Sequence, residues 1–526
     1  MTNAAQVKFK TDNLTQVVKT PASGITFVLG QSEKGAFAKP SSIINTWPQF
    51  VEEYGGLITT SVAPLLVKRM LEKGAPIRFA RIGHYTDVTD SSTLTATKAV
   101  ASDDIVDGIH ELFELVPKNP GAWGNGLNVF ITAGSNGGAN YFDLSINHDT
   151  DTTVNEVYKN LIIEGAPSDG NSNYLNDVVN YSKYFDVVYK DLSALMSDDV
   201  IPVAVPPPYV PAPVSISYST GTDAIGVVAT DYIGDSAALT GFHAFDNYDD
   251  AMQIIVADSI EDTVHQAGAA YAANRKDIFY FLHLSNLITD KTAIIAKRDA
   301  LLLDTKFAAI FGGGLMVLNP TNNQKINIEA ITDICALASN SDTEFGEWYS
   351  FAGPNRGVID NALGVINNFG SPAKAVDLDN LANRQINMII NRNNGIKLWG
   401  NFTAQIKTDQ ESQLSIARLV VYLQKSLKPL LEGYLEEPND IPTWKRIFYT
   451  VSPFLDTLVT KRAMFGYLWQ GDQDAASLDN LIINNATDVG QGKYKIKFSI
   501  KPIASIQEIN VVITLTPTAV SFETLL

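Results

Sequence analysis

Strand-type and helix-type segments alternate on both flanks of this chain, and this order constrains its fold more than any other feature. Residues 24–30 and 77–82 predict strands, and residues 47–54 and 63–73 between them predict helices. An order of strand, helix and strand is typical of an α/β layer. At 526 residues the chain is longer than one compact core, so we expect about three domains.

The alternation resumes after residue 214. Short β-prone runs are separated by helical patterns; the runs are residues 225–230, 253–257, 278–282 and 315–319, and the helical segments include residues 264–274 and 293–302. We therefore predict one discontinuous α/β domain made of residues 21–90 and 214–325.

An acidic block interrupts this domain. Residues 91–260 carry 23 Asp or Glu against 5 Lys and no Arg, whereas the rest of the chain balances 34 acids with 34 bases. Short alternating runs predict a β-rich inserted domain at residues 91–213, ending in a connector with six prolines, Ile201 to Pro213. A solvated surface is the simpler interpretation of the charge, and a cation or partner site is the alternative. The charge argues against nucleic-acid binding.

The last third, residues 326–505, predicts a C-terminal α+β domain with two amphipathic helices. The first carries an apolar stripe, and the second extends from near Trp444 to Trp469 with Pro453 as a kink. The stripe of the first helix is Ile416, Val420, Leu423, Leu427 and Leu430. Lys493 to Lys501 then alternates as a strand with its lysines mostly on one face.

Both chain ends contain a further alternating strand. In the arm at residues 1–20 the apolar positions are Val7 and Phe9, and in the terminal segment at residues 506–526 they are Ile509, Val511, Ile513 and Leu515. The first arm has too few apolar groups to pack as a domain. A strand of this kind needs a sheet edge, and an assembly can supply one from another chain.

Motifs for catalysis or metal binding are missing from the sequence. There is no phosphate-binding loop, dinucleotide fingerprint or nucleophile elbow, and the six histidines have no metal-ligand spacing. Cys335 lies among apolar neighbours, which predicts a buried inert thiol. No signal peptide or membrane span is evident. We expect no cofactor, no metal, no membrane insertion and no enzymatic activity.

Several stretches nevertheless form a recognisable series. They are GITFVLGQSEKGAFAKPSSIINTWPQFVEEYGG, PGAWGNGLNVFI, LTGFHAFDN, WYSFAGPNRGVI, EEPNDIPTWKRI and the closing KYKIKFSIKPI. With these stretches in this order, the chain resembles the contractile tail sheath family of tailed bacteriophages and related bacterial contractile injection systems. The resemblance extends over nearly its full length. It departs from the family at Phe311, where FGGGL replaces a proline-containing strand entry, and in the variable inserted domain.

The resemblance implies a subunit that polymerises helically, in hexameric rings, around an inner tail tube and contracts to drive the tube through a bacterial envelope. It implies a virion tail location after assembly in the host cytoplasm, with baseplate and tail terminator proteins as further partners. The family's terminal arms cross to neighbouring subunits, which assigns strand exchange to the six arm residues named above. Its inner wall suggests that Lys461 and Arg462 face the tube, with a solvated helix end as the alternative.

Two other functions remain as alternatives. The nearer one is the sheath of a bacterial injection system instead of a phage. The more distant one is an α/β hydrolase-like enzyme in which the acidic domain acts as a cap.

Overall fold

The computed structural model of the protein describes residues 24–106, 111–137, 141–163, 175, 179, 181–190, 210–393 and 395–507. The predicted strands with Val7 and Phe9 and with Ile509 to Leu515 lie outside these residues, as does most of the proline-rich connector.

Short strands are spread over the whole described chain. They are β1 (Thr26–Gly30), β2 (Ile77–Arg81), β3 (Val100–Ala101), β4 (Ile105–Val106), β5 (Glu111–Pro117), β6 (Leu127–Ala133), β7 (Phe142–His148), β8 (Asn155–Leu161), β9 (Phe185–Tyr189), β10 (Val214–Ser219), β11 (Gln253–Val256), β12 (Phe279–His283), β13 (Ala308–Gly312), β14 (Leu315–Leu318), β15 (Lys325–Ile328), β16 (Gly364–Val365), β17 (Ile386–Arg392), β18 (Gly395–Trp399), β19 (Met464–Gln470) and β20 (Lys497–Pro502).

Helices lie between many of these strands in the described parts of the chain. They are α1 (Trp47–Tyr54), α2 (Ala63–Glu72), α3 (Ala229–Ile233), α4 (Asp262–Arg275), α5 (Lys291–Ala300), α6 (Ile331–Glu344), α7 (Gly353–Arg356), α8 (Ala375–Ala382), α9 (Leu414–Glu432), α10 (Ile441–Thr460) and α11 (Ala486–Gly490). No helix in the described ranges is both long and apolar enough to cross a membrane.

A seven-stranded sheet forms the centre of the molecule, in the order β18-β17-β13-β12-β11-β1-β2. All its strand pairs are parallel except β17 with β18. Every residue of β1, β12 and β13 is buried, because parallel strands are covered on both faces. The α/β layer predicted from the sequence is therefore present.

Two apolar cores cover the sheet. Successive side chains of a strand point to opposite faces, so Val28 joins the core formed with α1, α2, α6, α9 and α10. Phe27 and Leu29 join the core formed with α4, α5 and α8. The two long C-terminal helices thus pack on the α/β sheet, and the last third of the chain shares one core with the first.

The acidic region contains two antiparallel sheets with a separate core. Their strand orders are β3-β10-β6-β7-β8 and β4-β5-β9, and their shared core includes Phe113, Phe142 and Phe185. A short 3-10 helix, Ala122–Gly126, forms at the GAWGNG turn and leads directly into β6. In the described residues the region is β-rich, as the alternating runs predict.

Two predicted limits of the discontinuous α/β domain need correction. We predicted that residues from 214 onward return to the α/β domain. Strand β10 instead pairs with β6 of the inserted domain, with Val214 opposite Ile131. The central sheet also continues beyond residue 325, because β17 pairs with β13 and β18 pairs with β17. Strand pairing is long-range, so the local pattern did not reveal either limit.

The predicted strand at residues 225–230 is also wrong. The chain turns there into α3, since Asp231 accepts hydrogen bonds from the amides of Val228 (2.8 Å) and Tyr85 (3.0 Å). This side chain satisfies backbone groups that a strand would otherwise pair.

The second amphipathic helix ends earlier than predicted. Helix α10 runs through Pro453 but stops at Thr460, and Arg462 takes a left-handed conformation with φ of 63°. Phe465 and Trp469, which we assigned to the helix, lie on strand β19 instead. Their apolar spacing fitted both structures, and the turn at Arg462 determines which one forms.

Candidate assembly surface

Strands β19 and β20 form a separate two-stranded antiparallel sheet near the end of the described chain. Trp469 pairs with Phe498, and Tyr467 pairs with Ile500. Among the described residues each strand has only this one hydrogen-bonded neighbour, so both outer edges carry unpaired backbone groups. An isolated two-stranded sheet is only marginally stable, and open edges favour the addition of further strands.

One face of this strand pair is packed against the molecule. Met464 and Trp469 are buried, and Tyr494, Ile496, Phe498 and Ile500 pack against the core under α10. This half-buried alternation is the one predicted for KYKIKFSIK.

The other face is open and partly apolar. Phe465 is 73% exposed and Leu468 is 55% exposed, although both are large apolar side chains. A register shift between Met464 and Gly466 turns Phe465 outward. Lys497 and Lys501 of β20 are also exposed, so the face combines apolar and basic groups.

Other exposed apolar side chains lie in the same part of the sequence. Leu435 is 70%, Tyr449 is 66%, Ile482 is 85% and Ile506 is 80% exposed. Single exposed apolar residues are ordinary, but a concentration of them is typical of an interaction surface. We call the exposed face of the β19–β20 pair, with Phe465, Leu468, Lys497 and Lys501, the candidate assembly surface.

The residues of EEPNDIPTW hold this surface in place. The Asp440 carboxylate caps α10 by accepting from the Thr443 amide at 2.9 Å, with a proline in the first turn. The Trp444 ring stacks on Tyr494 with centroids 5.0 Å apart, and the Tyr494 hydroxyl donates to the Gly471 carbonyl at 2.8 Å. The motif thus fixes the loop that joins β19 to β20.

Asp472 fixes the rest of that loop. Its carboxylate accepts hydrogen bonds from the amides of Ile482, Ile483 and Asn484 at 2.7–3.2 Å. Burial by itself would raise the pKa of Asp472, but these hydrogen bonds hold it below its usual value.

Lys461 and Arg462 lie in the turn between α10 and β19, and not within the helix as we expected. Both side chains are exposed. The backbone is fixed there because the Trp348 indole donates to the Lys461 carbonyl at 3.3 Å. Cations at a helix C-terminus are favoured by the helix dipole, so their position alone does not require a partner.

Two buried carboxylates with cationic partners were not predicted from the sequence. The Asp342 carboxylate pairs with Arg418 at 2.5 Å, with both side chains fully buried. Asp333, also fully buried, pairs with Arg69 at 2.8 Å and with Lys73 at 2.5 Å. The sequence does contain a sign of the first of these contacts. Arg418 lies inside the apolar run LSIARLVVYL, and a buried arginine needs a buried partner.

Other singled-out residues have structural roles. Arg356 of GPNRG packs against the rings of Phe345 and Tyr349 and donates to the Ser350 carbonyl at 2.7 Å. Cys335 is buried, and burial raises the pKa of its thiol, as expected for an inert cysteine. The described part of the chain contains no cluster of three or more His, Cys, Asp or Glu that could hold a metal ion.

Comparison with solved structures defines the class of fold. The chain is similar to the helical sheath of the anti-feeding prophage in its contracted state, with 13% identity, a TM-score of 0.56, and coverage of 98% of this chain and 100% of that one. It is also similar to sheath tail proteins from Listeria innocua and Desulfitobacterium hafniense. The Listeria innocua protein has 12% identity and a TM-score of 0.58, with 93% of each chain covered. The Desulfitobacterium hafniense protein has 12% identity and a TM-score of 0.53, with 95% of this chain and 100% of that chain covered.

No family model and no curated sequence matches the chain. The protein has the mixed α/β, multi-sheet fold of contractile sheath proteins, which confirms at the level of fold the resemblance found in the sequence. Its particular function is a separate question, because a fold does not determine a function by itself.

Proposed function

We propose that this protein is the structural, non-enzymatic subunit of a contractile sheath. It polymerises helically with copies of itself around an inner tube and contracts to drive that tube through a bacterial envelope. The observation that carries the proposal is the β19–β20 pair, which among the described residues has an open edge on each strand and an exposed apolar face beside them. Such a surface suits addition of strands from other chains.

The two chain ends are the proposed donors of those strands. Val7 and Phe9 in one arm, and Ile509, Val511, Ile513 and Leu515 in the other, alternate as strand residues. Two open edges match two arms in number. We propose that arms from neighbouring subunits extend the β19–β20 pair and keep the lattice connected while subunits rotate.

The inserted acidic domain is the proposed outer layer. It has a core of its own, so it can project from the rest of the subunit. Residues 91–213 carry 16 Asp or Glu against 5 Lys, and this excess of negative charge would be costly at packed interfaces between identical copies. We propose a division into terminal arms, an α/β domain, an inserted outer domain and a C-terminal assembly region.

The remaining partners follow from this role. The proposed assembly is a stack of hexameric rings that ends on a baseplate and a terminator protein, located in a virion tail and built in the host cytoplasm. Lys461 and Arg462 are proposed to face carboxylates of the tube, since both are exposed and basic. A bacterial injection system is the alternative location, and the genes next to this one would distinguish the two.

Electron microscopy of the purified protein tests the proposal directly. We expect tubes at high protein concentration, and only soluble subunits after removal of residues 1–20. If the full chain stays monomeric at all concentrations, with and without a purified tube protein, the proposed function is wrong.

A further inference from the structure

The inserted domain meets the α/β domain across an open cleft. A cavity of about 640 Å³ lies between them, and its walls include Tyr54 of α1 and Trp123 and Tyr184 of the inserted domain. The chain enters and leaves the inserted domain at one place, where Thr97 and Thr222 exchange backbone hydrogen bonds of 3.1 and 3.3 Å. Two domains that meet across a cavity, and not through a close-packed apolar interface, depend on a few polar contacts for their relative orientation.

Lys34 makes a buried contact across this cleft. It lies in the loop after β1, and its side chain is buried. Its ammonium group donates to Oδ2 of Asp151 at 2.8 Å and lies 4.4 Å from the centroid of the Trp123 ring. Both partners belong to the inserted domain. Because a buried ammonium group is costly without partners, these two contacts hold the domains together at this point.

His148 fixes both partners of Lys34. Its ring stacks on the Trp123 ring with centroids 4.6 Å apart, and its Nε2 atom lies 2.8 Å from the Trp123 carbonyl oxygen. Its Nδ1 atom lies 3.1 Å from the amide nitrogen of Asp151 and 3.2 Å from that of Thr150. The His148 ring therefore joins the GAWGNG turn to the loop that carries Asp151.

The GAWGNG turn is shaped to receive this ring. A Cβ atom at Gly126 would lie 2.4 Å from Cε1 of His148, so a larger residue would displace the ring. The Gly126 carbonyl also accepts from the Asp149 amide at 2.9 Å, which holds the near end of the Asp151 loop. The turn that stands out in the sequence thus has a structural reason, because it seats His148.

The directions of these hydrogen bonds define the protonation state of His148. An amide N–H can only donate, so Nδ1 must present a lone pair to Thr150 and Asp151. A carbonyl oxygen can only accept, so Nε2 must carry the hydrogen that points to Trp123. The ring is therefore neutral in this arrangement. A proton added at Nδ1 would face two donors and remove both hydrogen bonds to the Asp151 loop.

The titratable and charged groups around the ring come from three segments. They are Lys34 from the loop after β1, Asp149 and Asp151 from the ring's own loop, and Tyr184, whose ring lies 5.8 Å from Trp123. The 3-10 helix at Ala122–Gly126 and strand β6 carry none. Burial by itself would raise the pKa of Asp151, but hydrogen bonds from Lys34 and Thr153 hold it below its usual value. Asp151 therefore stays ionised over the pH range in which histidines titrate.

We propose that His148 is a proton-sensitive latch between the two domains, closed while its ring is neutral and open once Nδ1 has taken a proton from solvent. Protonation releases the Asp151 loop from Nδ1, and the Asp151 carboxylate is then no longer held in line with Lys34. The inserted domain pivots about the crossing at Thr97 and Thr222. The latch works within one subunit, so its test needs no assembled tubes and is independent of the proposed function.

The test measures the distance between the two domains in dilute subunits of the full chain. Glu72→Cys on α2 and Val157→Cys on β8 change exposed positions, one in each domain, and nitroxide labels there report the distance by double electron–electron resonance. Cys335 is buried and stays unlabelled. We expect one narrow distance distribution at pH 8. A second, open population should rise by up to about tenfold per pH unit as the pH falls toward 5, because opening takes up one proton.

Three variants separate the latch from other effects of pH. His148→Asn keeps an acceptor near the position of Nδ1 but cannot bind a proton there, so its distance distribution should be the same at pH 8 and pH 5. His243→Asn, at a partly exposed histidine outside the latch, is the matched control and should keep the full pH dependence. Lys34→Met leaves the inserted domain's own residues intact and should show the open population already at pH 8.

Hydrogen exchange of residues 147–153 gives a second readout. After correction for the intrinsic pH dependence of exchange, this loop should lose protection at pH 5 in the natural chain and keep it in His148→Asn. An unchanged domain distance from pH 8 to pH 5 in the natural chain would overturn the latch, even if the loop exchanges faster. Equal opening of the natural chain and His148→Asn would assign the pH effect to another group. If His148→Asn does not fold, Lys34→Met decides, because a pH dependence that persists without Lys34 overturns the latch.

Discussion

At the scale of single residues, the buried Asp342–Arg418 pair is the contact whose removal should cost most. Arg418→Met leaves an uncompensated carboxylate in the core, so we expect the free energy of unfolding to fall by about 3–5 kcal/mol. Denaturant unfolding of the arm-deleted monomer measures this value. The double variant Arg418→Met with Asp342→Leu removes both charges and should regain most of the loss; if it does not, packing and not charge explains the effect.

His265 should make the folded protein less stable as the pH falls below about 6.5. Its ring is buried, with Nδ1 at 2.8 Å from the Tyr280 hydroxyl, and burial lowers its pKa to about 4. The unfolded state, with a pKa near 6.5, therefore binds more protons between pH 6.5 and pH 4, and stability falls as pH is lowered through that range. From the size of the shift we expect a loss of about 2–3 kcal/mol between pH 6.5 and pH 4.5.

His265→Gln should remove most of this acid sensitivity, as measured by urea unfolding at several pH values. His243→Gln is the matched control, since His243 is partly exposed beside Asp246. Identical slopes for the natural chain and His265→Gln would contradict the assignment.

At the scale of elements, the sharpest prediction concerns the terminal arms and the β19–β20 pair. Replacing Val7 and Phe9 by Asp should give a folded monomer, with unfolding free energy within about 0.5 kcal/mol of the natural chain, that forms no tubes. The reason is that an arm strand with two charges on its apolar face cannot pack on a neighbouring subunit.

Thr2→Asp with Gln6→Asp adds the same charge on the opposite face of the predicted strand and should still form tubes. Loss of the monomer fold in the Val7 and Phe9 variant would show that the arm pairs within its own chain. Normal tubes would show that strand exchange at this end is dispensable.

At the scale of the whole molecule, the inserted domain should be removable. Thr97 and Thr222 are joined by backbone hydrogen bonds, with the Thr97 amide 3.1 Å from the Thr222 carbonyl, so a short glycine-serine linker can replace residues 98–221. We expect the shortened chain to fold and to form tubes of smaller outer diameter in electron micrographs.

That deletion also removes partners of two buried cations. Lys34 pairs with Asp151 at 2.8 Å, and Arg81 donates to the Pro120 carbonyl at 3.1 Å. Lys34→Met in the shortened chain should therefore raise its thermal stability, because the lysine no longer has its carboxylate. A shortened chain that folds but never polymerises would show that the acidic domain takes part in assembly.

The sequence by itself determined the local elements and their order. The strands at β1 and β2, the helices between them, the stripe on α9 and the alternation of β20 follow from side-chain periods of 3.6 and 2, which depend only on neighbouring residues. The ordered series of motifs also indicated the sheath fold, and the buried Cys335 followed from its apolar surroundings.

Only the tertiary structure decided which elements share a sheet or a site. The pairing of β10 with the inserted sheet, the place of β17 and β18 in the central sheet, and the end of α10 at Thr460 depend on contacts between distant residues or on one backbone turn. The buried ion pair of Asp342 and Arg418 likewise joins two residues that are 76 positions apart in sequence. Burial and pairing arise only when the whole chain folds, so a local pattern does not contain them.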